Sequence, residues 1–216
     1  MAADEESVVE TYVSLDLEVD GEAPGLSSML SLGAAAVREG HVIDTFSANL
    51  EPLPDASPHP DTMKWWAGFP EEFALASQNP RPPADVMPAF VRWLDGLAAD
   101  RLVAVGAPAC LDFAFVNYYC HRFVGRNPLG YSCLDLLSLA MGRLGARSYW
   151  DLEYRIDNLL GIVPDTGRRR HVALNDAVLQ AQTLIALLAL RPWPSQADQE
   201  ARLIGVRPRS RDPAPA

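Results

Sequence analysis

Four carboxylates and one histidine have the types and spacings from which hydrolytic metal chemistry is built. Asp16 and Glu18 stand in Leu15-Asp16-Leu17-Glu18, Asp112 follows Leu111, and His171 precedes Asp176 in His171-Val172-Ala173-Leu174-Asn175-Asp176. Carboxylates two apart on a strand project from one face. There they repel and raise each other's pKa unless a cation lies between them. Clustered carboxylates to hold divalent ions, with an imidazole to take a proton, are the inventory of a two-metal phosphodiesterase. Each piece alone has a plainer meaning. Asp16 to Asp20 also reads as a solvated acidic turn, Asp112 as a first-turn acid favoured by a helix dipole, and His171 as a surface histidine on a basic loop. Five residues advance an ideal helix by about 140° net, so His171 and Asp176 do not share a helix face. They meet if His171 lies on the incoming loop and Asp176 on the second turn.

The elements that must position these groups follow from periodicity and turn chemistry. Thr11 to Leu17 predicts a buried strand, Met29 to Arg38 a second, and His41 to Leu50 a third after the Glu39-Gly40 turn, forming an antiparallel meander. Pro52 to Pro60 crosses to one or two short helices over Asp61 to Ala76. Pro82-Pro83 opens an amphipathic helix to about Ala98. Leu102 to Ala107 is a fourth strand, Cys110 to Phe123 a helix, and Gly130 to Cys133 a short fifth strand. Asp135 caps or precedes a helix ending at Leu144, Tyr149 to Leu160 is helical, and Val172 to Leu190 is the longest helix. The expected fold is α/β: a mixed five-stranded sheet, a three-strand antiparallel meander plus parallel strands, flanked by helices. Function then belongs at the carboxyl ends of the central strands. The domain should span 7–192, with 193–216 a flexible tail rich in Pro, Arg, Ser and Gln.

Of 216 residues 49% are hydrophobic and 21% charged, which permits a packed core and argues against global disorder. No apolar run approaches the roughly 20 residues of a membrane span, and Met1 to Glu6 lacks a secretory pattern. A net charge of −10 argues against a broad basic face that coats long nucleic acid. It leaves a nuclease open, because bound cations locally reverse the sign of an acidic site. Cys110, Cys120 and Cys133 form no CxxC pair and read as reduced core thiols of a cytoplasmic protein.

Taken in order, the motifs resemble the DEDD superfamily of 3′–5′ exonucleases, DnaQ-like proteins with a ribonuclease H-like fold, across about residues 10 to 190. The His171-x-Ala173-x-x-Asp176 form is similar to the histidine branch; the tyrosine branch places Tyr where this chain has Val172. Met29 to Val37 looks like the family's second strand, and Met63-Lys64-Trp65-Trp66 is similar to a bacterial exoribonuclease-like subgroup. The resemblance implies two Mg²⁺ or Mn²⁺ ions on Asp16, Glu18, Asp112 and Asp176, one lowering the pKa of a water and the other stabilising the leaving 3′ oxygen. It implies His171 as general base and nucleoside 5′-monophosphates as products. The acidic surface away from this site makes single-stranded or 3′-overhanging RNA or DNA the expected partner rather than long duplex, with no membrane, and a homodimer is plausible on family grounds.

Arg168, Arg169 and Arg170 either contact phosphates or form a solvated loop. Trp65 and Trp66 could stack on a base, although neighbours on a helix point in different directions and at least one should be core. Val19 replaces a threonine common after the first acidic pair, and Gly106-Ala107-Pro108-Ala109 replaces a polar pair before the second motif. Both departures bear on substrate contacts more than on metals. Two other readings stand beside this one. One is a phosphodiesterase restricted to very short oligoribonucleotides; the other is a non-catalytic nucleic-acid-binding or interaction module of the same fold, against which four intact carboxylates count.

Overall fold

Alternation along the first strand decides the architecture. The structure, a computed structural model, describes residues 10–153, 155–162 and 169–190; Arg168 and the expected tail from 193 onward lie outside these. In β1 (Glu10–Val19), Val13, Leu15 and Leu17 pack against α3 (Pro83–Gly96) and α4 (Ala109–Val124) through Val86, Phe90, Phe115 and Tyr119. The even positions face the other way. Tyr12 packs into the clusters holding Ala181 and Leu184 of α8 (Ala173–Ala189), and Asp16 meets Gln180 of the same helix. A strand buried on both faces gives three layers, helix on sheet on helix.

β1 pairs antiparallel with β2 (Met29–Arg38), which pairs antiparallel with β3 (His41–Asn49); β4 (Arg101–Gly106) runs parallel to β1, and β5 (Cys133–Asp135) parallel to β4. The sheet order β3-β2-β1-β4-β5 is the expected mixed five-stranded arrangement. Between β3 and α3 lie α1 (Pro60–Trp66) and α2 (Pro70–Ala76); α5 (Leu136–Leu144), α6 (Tyr149–Glu153) and α7 (Ile156–Leu160) follow β5.

Three expectations are corrected. The fifth strand is Cys133–Asp135, not Gly130 to Cys133, because β4 first meets it at Ala104 opposite Cys133, and Tyr131 is 96% exposed. The helix expected over Tyr149 to Leu160 is two short ones. Cys110 is an exposed thiol, Cys133 half-buried, and only Cys120 belongs to the core. Among the described residues no helix is long and apolar enough to cross a membrane.

Two local devices set the site. The Asp135 carboxylate accepts from Ser138 N at 2.7 Å, capping α5, and from Ala109 N at 3.1 Å, at the start of α4. One side chain thereby fixes two helix N-termini. The second device is Gly33, opposite Asp16 in the β1–β2 register. A Cβ at Gly33 would lie 2.2 Å from the Ala173 carbonyl carbon and 2.4 Å from Leu174 N, so the first turn of α8 rests directly on this glycine. Backbone cannot rotate away as a side-chain tip can. Gly33→Ala is therefore expected to lift α8 from the sheet, with a loss of about 1–3 kcal/mol from overpacking and displacement of Asp176. Gly142→Ala, in α5 with nothing within 4 Å of the added carbon, should be neutral or stabilising. Thermal unfolding and hydrolysis of the two variants check the pair.

Candidate active site

Asp16 and Glu18 end β1 on the face covered by α8. Directly after Glu18 the register shifts, Glu18 opposing Ser31 while Val19 opposes Met29. An irregularity of this kind re-aims side chains at a strand end. Trp66 holds the exit, its Nε1–H donating to the Val19 carbonyl at 2.9 Å. Asp176 arrives from the first turn of α8, one turn earlier than its spacing predicts. Its carboxylate accepts from the His171 backbone N–H at 2.7 Å. His171 sits at φ 57°, a left-handed conformation uncommon for residues other than glycine but one that histidine, like asparagine, adopts more readily than most, and the bond to Asp176 braces it there. Histidine on the incoming loop beside a carboxylate on the helix is the expected arrangement.

Ligand oxygens of Asp16, Glu18 and Asp176 all lie within 4.8 Å of one another. Asp112 stands outside that triplet. It comes from the opposite helical layer, in the first turn of α4, and is buried at 4% exposure where the Leu17 backbone N–H donates to it. Gly106 leaves room for it: a Cβ there would come within 3.1 Å of Asp112 Oδ2.

All four acids are displaced toward the protonated form. Burial pushes the Asp16 carboxyl well up, and the charges of Asp112, Asp176 and Glu18 push it further; a hydrogen bond from Gln180 opposes them. Glu18 is raised to about 8 by burial, then by Asp176 and Asp112. Burial raises Asp112 as well, against the Leu17 N–H. Asp176 is raised by burial, with the His171 N–H opposing. The His171 imidazole is held below its ordinary value, chiefly by burial, which keeps it neutral and able to accept a proton.

This donor set fits a hard cation. Every candidate ligand atom is a carboxylate oxygen, as Mg²⁺ and Mn²⁺ prefer. Glu18 Oε1 is buried and has no hydrogen-bond partner among the described residues. A cation would answer both the mutual repulsion and that orphaned oxygen.

Asp16, Glu18 and Asp176 open into a cleft of about 880 Å³, whose walls include Trp65, Trp66, Leu111, Ile156 and Arg170. Of the two tryptophans, Trp66 is the core member at 2% exposure, and Trp65 is 44% exposed. The His171 ring packs against both Trp65, edge-on at 4.9 Å, and Phe69 at 4.6 Å, and those two rings are 4.8 Å from each other, so the three form one cluster. Of the arginines, Arg170 lines the cleft, whereas Arg169 bonds Glu71 of α2 and lies 3.8 Å from Glu72. Arg168 is outside the described residues. Neither Phe69 nor Gln180 was singled out by spacing. Gln180 follows Asp176 by four residues, one helical turn along the same face, and that offset is the signal that could have found it.

The model of the family described as the 3′–5′ exoribonuclease Rv2179c-like domain matches residues 11–188. The 3′–5′ DNA exonuclease Cap18 of Escherichia coli is 32% identical over 175 residues, 80% of this chain and 89% of that protein. The nuclease domain of 3′hExo, a DEDDh family member bound to rAMP, shares the fold at TM-score 0.63 and 14% identity, covering 86% of this chain and 94% of that one. Exonuclease I of E. coli, in a zinc-bound complex with single-stranded DNA, does so at TM-score 0.60 and 18% identity, over 90% of this chain and 43% of that one.

Proposed function

Because the chain belongs to the Rv2179c-like 3′–5′ exoribonuclease domain family and is a 3′–5′ exonuclease, we propose that it releases nucleoside 5′-monophosphates from 3′ ends of single-stranded or overhanging RNA or DNA. Asp16, Glu18, Asp112 and Asp176 hold two divalent cations, and His171 is the general base. The observation that carries this reading is the convergence of Asp16, Glu18 and Asp176 ligand oxygens within 4.8 Å of one another, beside a buried Glu18 oxygen with no hydrogen-bond partner among the described residues. Bound there, Mg²⁺ or Mn²⁺ supplies Lewis acidity to the attacking water and to the departing 3′ oxygen.

The chain's own groups do the rest. Neutral His171, supported by contacts with Trp65 and Phe69, takes the proton of the attacking water. Asp176 fixes the backbone from which that ring projects. Trp65 offers an exposed indole for stacking a base, an interaction worth about 1–3 kcal/mol. Arg170 brings positive charge to the phosphate side of the cleft. Arg169 is occupied by Glu71, so it serves the loop rather than the phosphate.

The test is degradation of 3′- and 5′-labelled RNA and DNA with Mg²⁺, Mn²⁺ or EDTA. Mononucleotides appearing from the 3′ end only with metal are the expected result; cleavage that survives EDTA would sink the two-cation mechanism. His171→Asn separates the base from its backbone role, because Asn tolerates the left-handed conformation and keeps the N–H that Asp176 accepts. It should slow hydrolysis by roughly 10²–10⁴-fold. An unchanged rate removes His171 from the role.

A further inference from the structure

We propose that Gln180 is a positioning residue for the cation site: its side-chain amide fixes the Asp16 carboxylate so that the acid can meet a divalent cation together with Glu18 and Asp176. This rests on the cation-site reading above. Gln180 Nε2 donates to Asp16 Oδ1 at 2.8 Å, across 164 residues of sequence. Facing a carboxylate, only the Nε2 end of the amide fits, since Oε1 would set oxygen against oxygen. α8 carries Asp176 and Gln180 one turn apart, so one helix face delivers both a carboxylate to the cluster and a donor to its neighbour.

The other end of the side chain argues against a packing role. Gln180 Oε1 is buried without a hydrogen-bond partner among the described residues. A half-buried amide whose oxygen is buried and unsatisfied is a poor choice for filling space, and a Met or Leu of similar volume avoids that penalty. What an apolar residue lacks is the donor to Asp16. The charge type matters too. Lysine or arginine in this place would also hydrogen-bond Asp16, but would cancel the negative charge a cation needs. A neutral amide orients the acid and leaves its charge intact. Groups that hold a metal ligand in place in this way typically change affinity by about 10–100-fold when removed.

The experiment is calorimetric titration of the full chain with Mn²⁺ in the absence of nucleic acid, comparing wild type, Gln180→Met and Gln180→Lys, alongside thermal unfolding in EDTA. Gln180→Met keeps the volume and removes the donor. It should bind Mn²⁺ roughly 10-fold or more weakly, lose rate at limiting Mn²⁺ and regain it at saturating Mn²⁺. In EDTA it should melt no lower than wild type. Gln180→Lys keeps the donor and adds charge, and should bind Mn²⁺ weakly while melting higher in EDTA. Either variant binding Mn²⁺ as tightly as wild type overturns the proposal. So does a Gln180→Met protein that melts well below wild type in EDTA, which would assign the residue to packing. Wild type that takes up no Mn²⁺ at all overturns the cation site itself, a result distinct from these.

Discussion

Asp176→Asn is expected to abolish detectable hydrolysis while the cation-free protein melts higher than wild type at pH 8. The two effects have one origin. Asp176 belongs to the triplet of acids within 4.8 Å, and its charge raises both Asp16 and Glu18. Asparagine has nearly the same shape. Its Oδ1 still accepts from the His171 N–H, so the loop and the left-handed histidine stay in place. What disappears is one negative charge. Cations stabilise the charge of such a transition state by several kcal/mol, and each 1.4 kcal/mol is a factor of ten. Losing a ligand should therefore lower the rate by roughly 10³-fold or more. Without cations the same substitution removes a repulsion from a buried cluster, so the folded state gains. Activity assays with saturating Mn²⁺ and unfolding scans in EDTA measure the two halves. A variant that is inactive and also less stable in EDTA would mean that Asp176 holds the fold, not the metal.

The sequence carried much of this arrangement because period-two and period-3.6 patterns are local. Asp16 and Glu18 had to share a face once Val13, Leu15 and Leu17 were core, and the helix after His171 was apolar enough to announce itself. The meander was equally legible from the Glu39-Gly40 turn. Other parts have no local signal. Asp112 reaches the site from the opposite helical layer, and its place depends on Gly106 and on Asp135 holding the start of α4. β5 is three residues of parallel edge, too short for a pattern, and the strand-like Tyr131 before it lies in solvent. Phe69 and Gln180 act through partners 102 and 164 positions away, His171 and Asp16. Spacing along the chain cannot show such partnerships; only the stacked layers can.

Stripped of cations, the protein is expected to become less stable as pH rises from about 5 to 9, opposite to the acid lability usual for proteins. The carboxyls of Glu18, Asp16, Asp112 and Asp176 are all displaced upward, burial being the first cause at each and mutual repulsion adding to it at Asp16 and Glu18. For Glu18 the folded value is about 8 against an ordinary 4.5. Between those values the folded chain holds a proton that the unfolded chain has released. Stability must then fall as pH rises. The contribution is fully present below about 4.5 and gone above about 8. At about 1.4 kcal/mol per tenfold change in proton affinity, Glu18 alone amounts to roughly 5 kcal/mol, comparable to the whole stability of a marginal domain. Mn²⁺ should reverse the trend, because cations displace those protons and binding N but not U stabilises by mass action. Melting temperatures across this pH range, in EDTA and in Mn²⁺, give two curves that should diverge as pH increases. Glu18→Gln should flatten the EDTA curve, since it removes the titrating group and leaves the volume. A wild-type EDTA curve that rises with pH, or a Glu18→Gln curve as steep as wild type, would show that these carboxylates are charged and compensated without any cation.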